Sequence, residues 1–99
     1  GAVYAIVLDG VLIGGALVFR DRRHPRVMEL GRLFIDPVFH RQGHGLATMR
    51  ALERQFADVT RWRLDTPAWN TRTSAFYAKL GYAITRRSGG FLFFQKDLA

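Results

Sequence analysis

ELGRLFIDPVFHRQGHGLATMRALERQF, residues 29–56, is the stretch whose reading decides the fold. An apolar, strand-like segment runs into Asp36-Pro37, where the proline stops it. A basic, glycine-bearing turn follows as His40-Arg41-Gln42-Gly43-His44-Gly45. Directly behind it Leu46, Met49, Leu52 and Phe56 recur every three or four residues, with Arg50, Glu53 and Arg54 between them, which predicts a helix of about three turns. A strand, a glycine turn and a helix start in that order aim free backbone amides at one point, a geometry suited to a phosphate.

Upstream, Val3 to Leu8 and Val11 to Phe19 are apolar runs joined by Asp9-Gly10, a two-residue hairpin signal. Gly14-Gly15 interrupts the second run and predicts a bulge or a close approach of another backbone or ligand. Asp21 to Arg26 is polar and proline-containing, hence a surface loop, and Val27 to Ile35 resumes as a strand. Downstream, Trp62 to Thr66 reads as a short strand ended by Pro67, and Thr73 to Leu80 as a helix stopped by Gly81. Tyr82 to Thr85 and Phe91 to Phe94 close the chain as strands around a turn at Arg86 to Gly90. The fold class is therefore α+β (mixed α/β), one domain over residues 1–99, in the order β-β-β-α-β-α-β-β. Its central mixed sheet is parallel where a helix crosses over, with the ligand site at the carboxyl ends of the central strands.

Fifteen Lys and Arg against eight Asp and Glu give a formal charge of +7, which favours anionic ligands. The basic residues are scattered over Arg20–Arg26, Arg41, Arg50–Arg63 and Arg86–Arg87 without a dense patch interleaved with aromatics, which disfavours nucleic acid and suits a polyphosphate cofactor. With no cysteine, disulfides, thiolate catalysis and cysteine-ligated metals are excluded. His24, His40 and His44 fall on two loops without acidic partners, so no metal site is expected. No apolar run has the length to span a bilayer and no leader pattern is present, so a cytoplasmic location and no membrane partner are expected.

The turn resembles the Gln/Arg-x-x-Gly-x-Gly/Ala signature of the GCN5-related N-acetyltransferases, with His40 departing at the first position. A second block, Leu64-Asp65-Thr66 followed by Asn70, Ala75, Phe76-Tyr77, Lys79-Leu80 and Gly81-Tyr82, is similar to the other characteristic segment of that family. The resemblance covers Tyr4 to Lys96 and implies a GNAT-like sheet that binds acetyl-CoA as cosubstrate and transfers its acetyl group directly to a primary amine. The acceptor is a small molecule or peptide. Family members usually carry a further strand and two helices before the hairpin, which supply part of the acceptor pocket. Their absence from these residues implies a minimal member, a fragment, or a site completed by a homodimer or a second chain.

The same resemblance assigns residue roles. Arg41, Gln42, Gly43, His44, Gly45 and Leu46 present the pyrophosphate cradle, and loss of the Gln or Arg side chain at His40 removes one phosphate contact. Leu33, Phe34 and Ile35 flank the pantetheine arm, with a backbone N–H facing the acetyl oxygen, where a fixed amide needs no reorganisation as charge develops. Ordinary sheet pairing is the alternative for those three. Tyr77 corresponds to the tyrosine that protonates the departing sulfur, against a packed aromatic. Glu29 corresponds to the base that deprotonates the amine, against a strand carboxylate paired with an arginine. Asn70 corresponds to a pantetheine contact, against a plain helix cap. A noncatalytic CoA-binding or interaction module is the alternative to an enzyme.

Overall fold

The structure, a computed structural model, describes residues 2–98. Strands β1 (Ala2–Leu8) and β2 (Val11–Arg20) form the first hairpin, and β3 (Val27–Ile35) returns beside β2. Helix α1 (His44–Gln55) leads to β4 (Arg61–Pro67), helix α2 (Thr71–Lys79) to β5 (Ala83–Ser88), and β6 (Phe91–Asp97) ends the domain. The six strands lie in one sheet ordered β1-β2-β3-β4-β6-β5, with β3–β4 the parallel contact and the other neighbours antiparallel. This is the mixed sheet with two crossover helices that the sequence pattern predicts.

One core lies between the sheet and both helices. Met49 and Leu52 of α1 and Tyr77 of α2 are buried with Leu80 against Met28, Leu30, Trp62, Leu64, Leu92 and Phe94. Burying an aromatic or aliphatic side chain contributes about 1.5–3 kcal/mol each, so this shared layer fixes both helices to one face. A half-buried Glu53–Lys96 pair at 2.9 Å ties α1 to β6 beside the Tyr82 hydroxyl. Helix α2 ends in a glycine motif: Gly81 takes φ +96°, its N–H donates to the Ala78 carbonyl at 3.0 Å, and the Tyr82 N–H to Tyr77 at 3.0 Å.

Several local details differ from the sequence expectation. The Arg86–Gly90 turn shrinks to Gly89-Gly90, both at positive φ, and Arg86, Arg87 and Ser88 extend the exposed edge strand β5. Two left-handed residues suit a two-residue hairpin, and arginine is tolerated at a solvent-facing edge. Pro67 ends strand β4 from inside it, opposite Phe91. A 3-10 turn, Pro37–Phe39, capped by the Asp36 carboxylate, precedes the glycine turn. In β2 the register slips around Ile13, while Gly14-Gly15 marks the close approach: a Cβ on Gly14 would overlap the Phe34 carbonyl oxygen.

Candidate active site

The site begins where two parallel strands stop being neighbours. Strands β3 and β4 pair only through Val27–Arg61, Met28–Trp62 and Glu29–Arg63, and beyond those three pairs they part. Two features of β3 accompany the fork. A bulge at Gly31 shifts its inward-facing positions from Met28 and Leu30 to Leu33 and Ile35. Beyond it, Gly14 and Gly15 allow the backbone and ring of Phe34 to lie tightly on β2. Alternate amides of residues 30–35 therefore face an open cleft instead of a strand.

At the mouth of the fork lies a cavity of about 690 Å³, lined by Leu33, Phe34 and Ile35 and by the glycine turn. Its other wall is α2, through Asn70, Thr73, Phe76 and Tyr77. The turn has φ +64° at Arg41 and +80° at Gly43, so the backbone runs left-handed at two positions of three. Gly43 is the N-cap of α1 and offers no side-chain cap; the first α1 bond runs from the Ala47 N–H to the Gly43 carbonyl at 3.0 Å. The His44, Gly45 and Leu46 amides consequently have no acceptor among the described residues, and the partial positive charge of the helix start is added to them. Gly45 sits where a Cβ would press on the Phe76 ring at 3.2 Å, so its lack of a side chain lets α1 and α2 meet at the cavity.

Leu33, Phe34, Ile35, Arg41, Gly43, His44, Gly45, Leu46, Asn70 and Tyr77 are all brought to this cavity. Gln42 is in the turn but off the lining, with its Oε1 3.2 Å from His44 Nε2. Asn70 caps α2, its Oδ1 accepting from the Thr73 N–H at 3.1 Å, which is the helix-cap role. Tyr77 is buried and packs edge-on against Phe76 and Tyr82. Burial pushes its phenol up to about 12, and its hydroxyl has no hydrogen-bond partner among the described residues. Burial, with the Glu53 carboxylate close by, raises the Tyr82 phenol further.

Glu29 lies outside the cavity. It belongs to the last paired position of the fork, on the sheet face opposite the helices, and its carboxylate accepts from Arg63 Nη2 at 2.7 Å. The same Nη2 donates to Asp21 at 2.8 Å. Hydrogen bonds from the His24 and Arg23 N–H groups, and then from Arg63, hold the Asp21 carboxyl below the usual range. The arginine partner of Glu29 is thus Arg63 rather than the nearer-in-sequence Arg32, which stacks on Phe34.

Arg72 and Lys79 also line the cavity, a contribution sequence reasoning missed. Seven residues apart on one helix, they share a face, and that spacing next to Thr73, Phe76 and Tyr77 was the available signal. A second concavity of about 750 Å³ lies at the other end of the central strands, around Arg23, Arg26, Arg61 and Asp97. It holds none of the sequence-predicted site residues, and its Arg61–Asp97 pair is solvent-exposed. No group of three or more metal-ligating side chains occurs among the described residues.

Known proteins share this arrangement. A Bacillus subtilis protein, YrkN, of uncharacterised function, is 36% identical over 83 residues, which are 83% of this chain and 44% of that protein. The chain thus spans less than half the length of this curated relative. The PaiA N-acetyltransferase of Thermoplasma acidophilum, solved in complex with coenzyme A, superposes with a TM-score of 0.88 at 21% identity, over 96% of this chain and 59% of that one. The ribosomal-protein-S18-alanine N-acetyltransferase of Escherichia coli gives 0.84 at 18% identity, over 99% and 69%. The two superpositions show a shared fold. The model of the acetyltransferase (GNAT) family matches residues 1–82, and the chain belongs to that family.

Proposed function

We propose that the protein binds acetyl-CoA in the fork between β3 and β4 and transfers its acetyl group directly to a primary amine. The observation that carries this is the cluster of unpartnered amides at His44, Gly45 and Leu46 beside a cleft whose β3 wall lacks a strand neighbour. The pyrophosphate lies on those amides, where Arg41 at the turn and Arg72 and Lys79 on α2 add positive charge. The pantetheine arm runs along Leu33–Ile35 and completes the sheet edge as a strand would. The N–H of a β3 residue held by its pairing with β2 donates to the acetyl oxygen as negative charge develops there.

The proposed proton groups sit differently. Tyr77 faces the cavity with its proton retained, and supplies a hydrogen bond to the sulfur as the thioester breaks. Glu29 stands at the apex of the fork and takes the amine proton once the incoming amine displaces Arg63 from its carboxylate. The acceptor side is the uncovered sheet face, where Val3, Val7, Leu12, Phe19 and Phe34 are exposed. We assign its cover to a second chain, and a monomeric species in sedimentation at micromolar concentration would contradict that.

The test is one sample and two readouts: binding of acetyl-CoA, and release of free thiol with a panel of primary amines. Saturable binding with amine-dependent thiol release supports the enzyme. Binding without turnover for any amine supports a noncatalytic CoA-binding module, and no binding removes both. No helix among the described residues is long and apolar enough to cross a membrane.

A further inference from the structure

His40 occupies the one position at which the turn departs from the family signature, and the structure gives it a bond. Its Nε2 lies 2.7 Å from the carbonyl oxygen of Ile35, the last residue of β3. A carbonyl only accepts, so the ring donates, and Nε2 carries the proton. The contact closes a five-residue excursion. Within it the Asp36 N–H donates to the Ile13 carbonyl at 2.6 Å, the Phe39 N–H to Asp36 at 2.8 Å and the His40 N–H to Pro37 at 3.2 Å. The His40 ring is therefore the last tie before the backbone turns left-handed at Arg41 and opens into the amide cradle.

We propose that His40 is a positioning residue, a clasp that holds the glycine turn against the end of β3, and not a phosphate ligand; this rests on the acetyl-CoA reading of the cavity. With Nε2 committed to Ile35, a neutral ring has only Nδ1 left, a lone pair that repels phosphate oxygen. A direct phosphate contact would require the charged ring. The departure from Gln or Arg thus keeps the turn in place by a different donor, rather than leaving a gap in the site. A glutamine amide can serve as the same donor, and an aliphatic side chain cannot.

Three proteins test it: the wild type, His40→Ala and His40→Gln. Coenzyme A affinity is measured by calorimetry at pH 6.0 and 8.5, and exchange of the hydrogen-bonded Phe39, His40 and Ala47 amides that flank the turn is followed in the free chain. A single hydrogen bond of ordinary strength gives about a three- to tenfold loss. His40→Ala therefore weakens coenzyme A by that factor at both pH values and speeds exchange of the Phe39, His40 and Ala47 amides, and His40→Gln restores both. Unchanged affinity and exchange in His40→Ala overturns the clasp. So does a loss seen at pH 6.0 and absent at pH 8.5, which identifies a charged phosphate contact. If the wild type binds no coenzyme A, the cofactor reading fails, while the exchange measurement still decides whether His40 holds the turn.

Discussion

Replacing Tyr77 by phenylalanine removes one oxygen from the wall of the cavity and leaves the ring where it packs, 5.0 Å from Phe76 and 5.7 Å from Tyr82 between centroids. The phenol sits at about 12 because it is desolvated. A thiol ordinarily titrates near 8.5, below this phenol, so full proton transfer to a thiolate is uphill. Tyr77 consequently acts as a hydrogen-bond donor to developing negative charge on sulfur, a contact that exists only as the thioester opens. Hydrogen bonds to charged groups contribute about 1.5–3 kcal/mol, which predicts a fall in kcat of about 10- to 150-fold. Acetyl-CoA affinity stays within about twofold, because the contact is absent in the ground state. Thermal unfolding should be unchanged or slightly raised, since the lost hydroxyl had no hydrogen-bond partner among the described residues. The assay is thiol release at saturating acetyl-CoA with an active amine, alongside calorimetric binding. A Tyr77→Phe enzyme with wild-type kcat and wild-type affinity would refute the role.

Three further outcomes follow from the same geometry. The Tyr77 and Tyr82 phenols are both raised by folding, so the chain holds their protons more tightly than the unfolded state does; stability is full below pH 10, the Tyr77 share is lost as pH rises through about 12, and the loss from Tyr82, raised further, continues above that. For Tyr77 alone, the fall between pH 9 and pH 11.5 is about 2 kcal/mol, read from urea midpoints, and Tyr77→Phe abolishes that share. Gly14→Ala forces a methyl into the Phe34 carbonyl, so we expect a loss of about 1–3 kcal/mol in urea unfolding and weaker coenzyme A binding as the end of β3 shifts. Glu29→Gln should lower kcat/KM by about 100-fold or more, with coenzyme A affinity unchanged. If the rate survives, Glu29 is only an ion-pair partner of Arg63, whose exposed contact is worth about 1 kcal/mol or less.

Element order and the glycine turn that lines the cavity were legible because they rest on local signals. The three- and four-residue spacing of Leu46 to Phe56 gives α1, Gly81 ends α2, and Asp9-Gly10 makes the first hairpin. The fork was not legible, since which residues of β3 and β4 pair is a long-range matter, as are the seating of Phe34 on Gly14 and Gly15 and the bulge at Gly31. Glu29–Arg63 and Asp21–Arg63 join residues 34 and 42 positions apart, which topology alone brings together. Arg86 and Arg87 looked like turn residues from their charge, but an edge strand with both faces wet accepts them. Asn70 and His40 show the remaining gap: their residue types fit more than one use, and the bonds to Thr73 and Ile35 come from the fold and not from local pattern.

The central claim is that coenzyme A occupies the fork with its pyrophosphate on the glycine turn. Titrating uniformly ¹⁵N-labelled protein with coenzyme A tests it at single amides. The account predicts saturable shifts at His44, Gly45 and Leu46 and along Leu33–Ile35, with the loop at Arg22–Arg26 unmoved. Binding that shifts the Arg23–Arg26 end of the sheet and leaves the glycine turn still, or no binding at all, would contradict it.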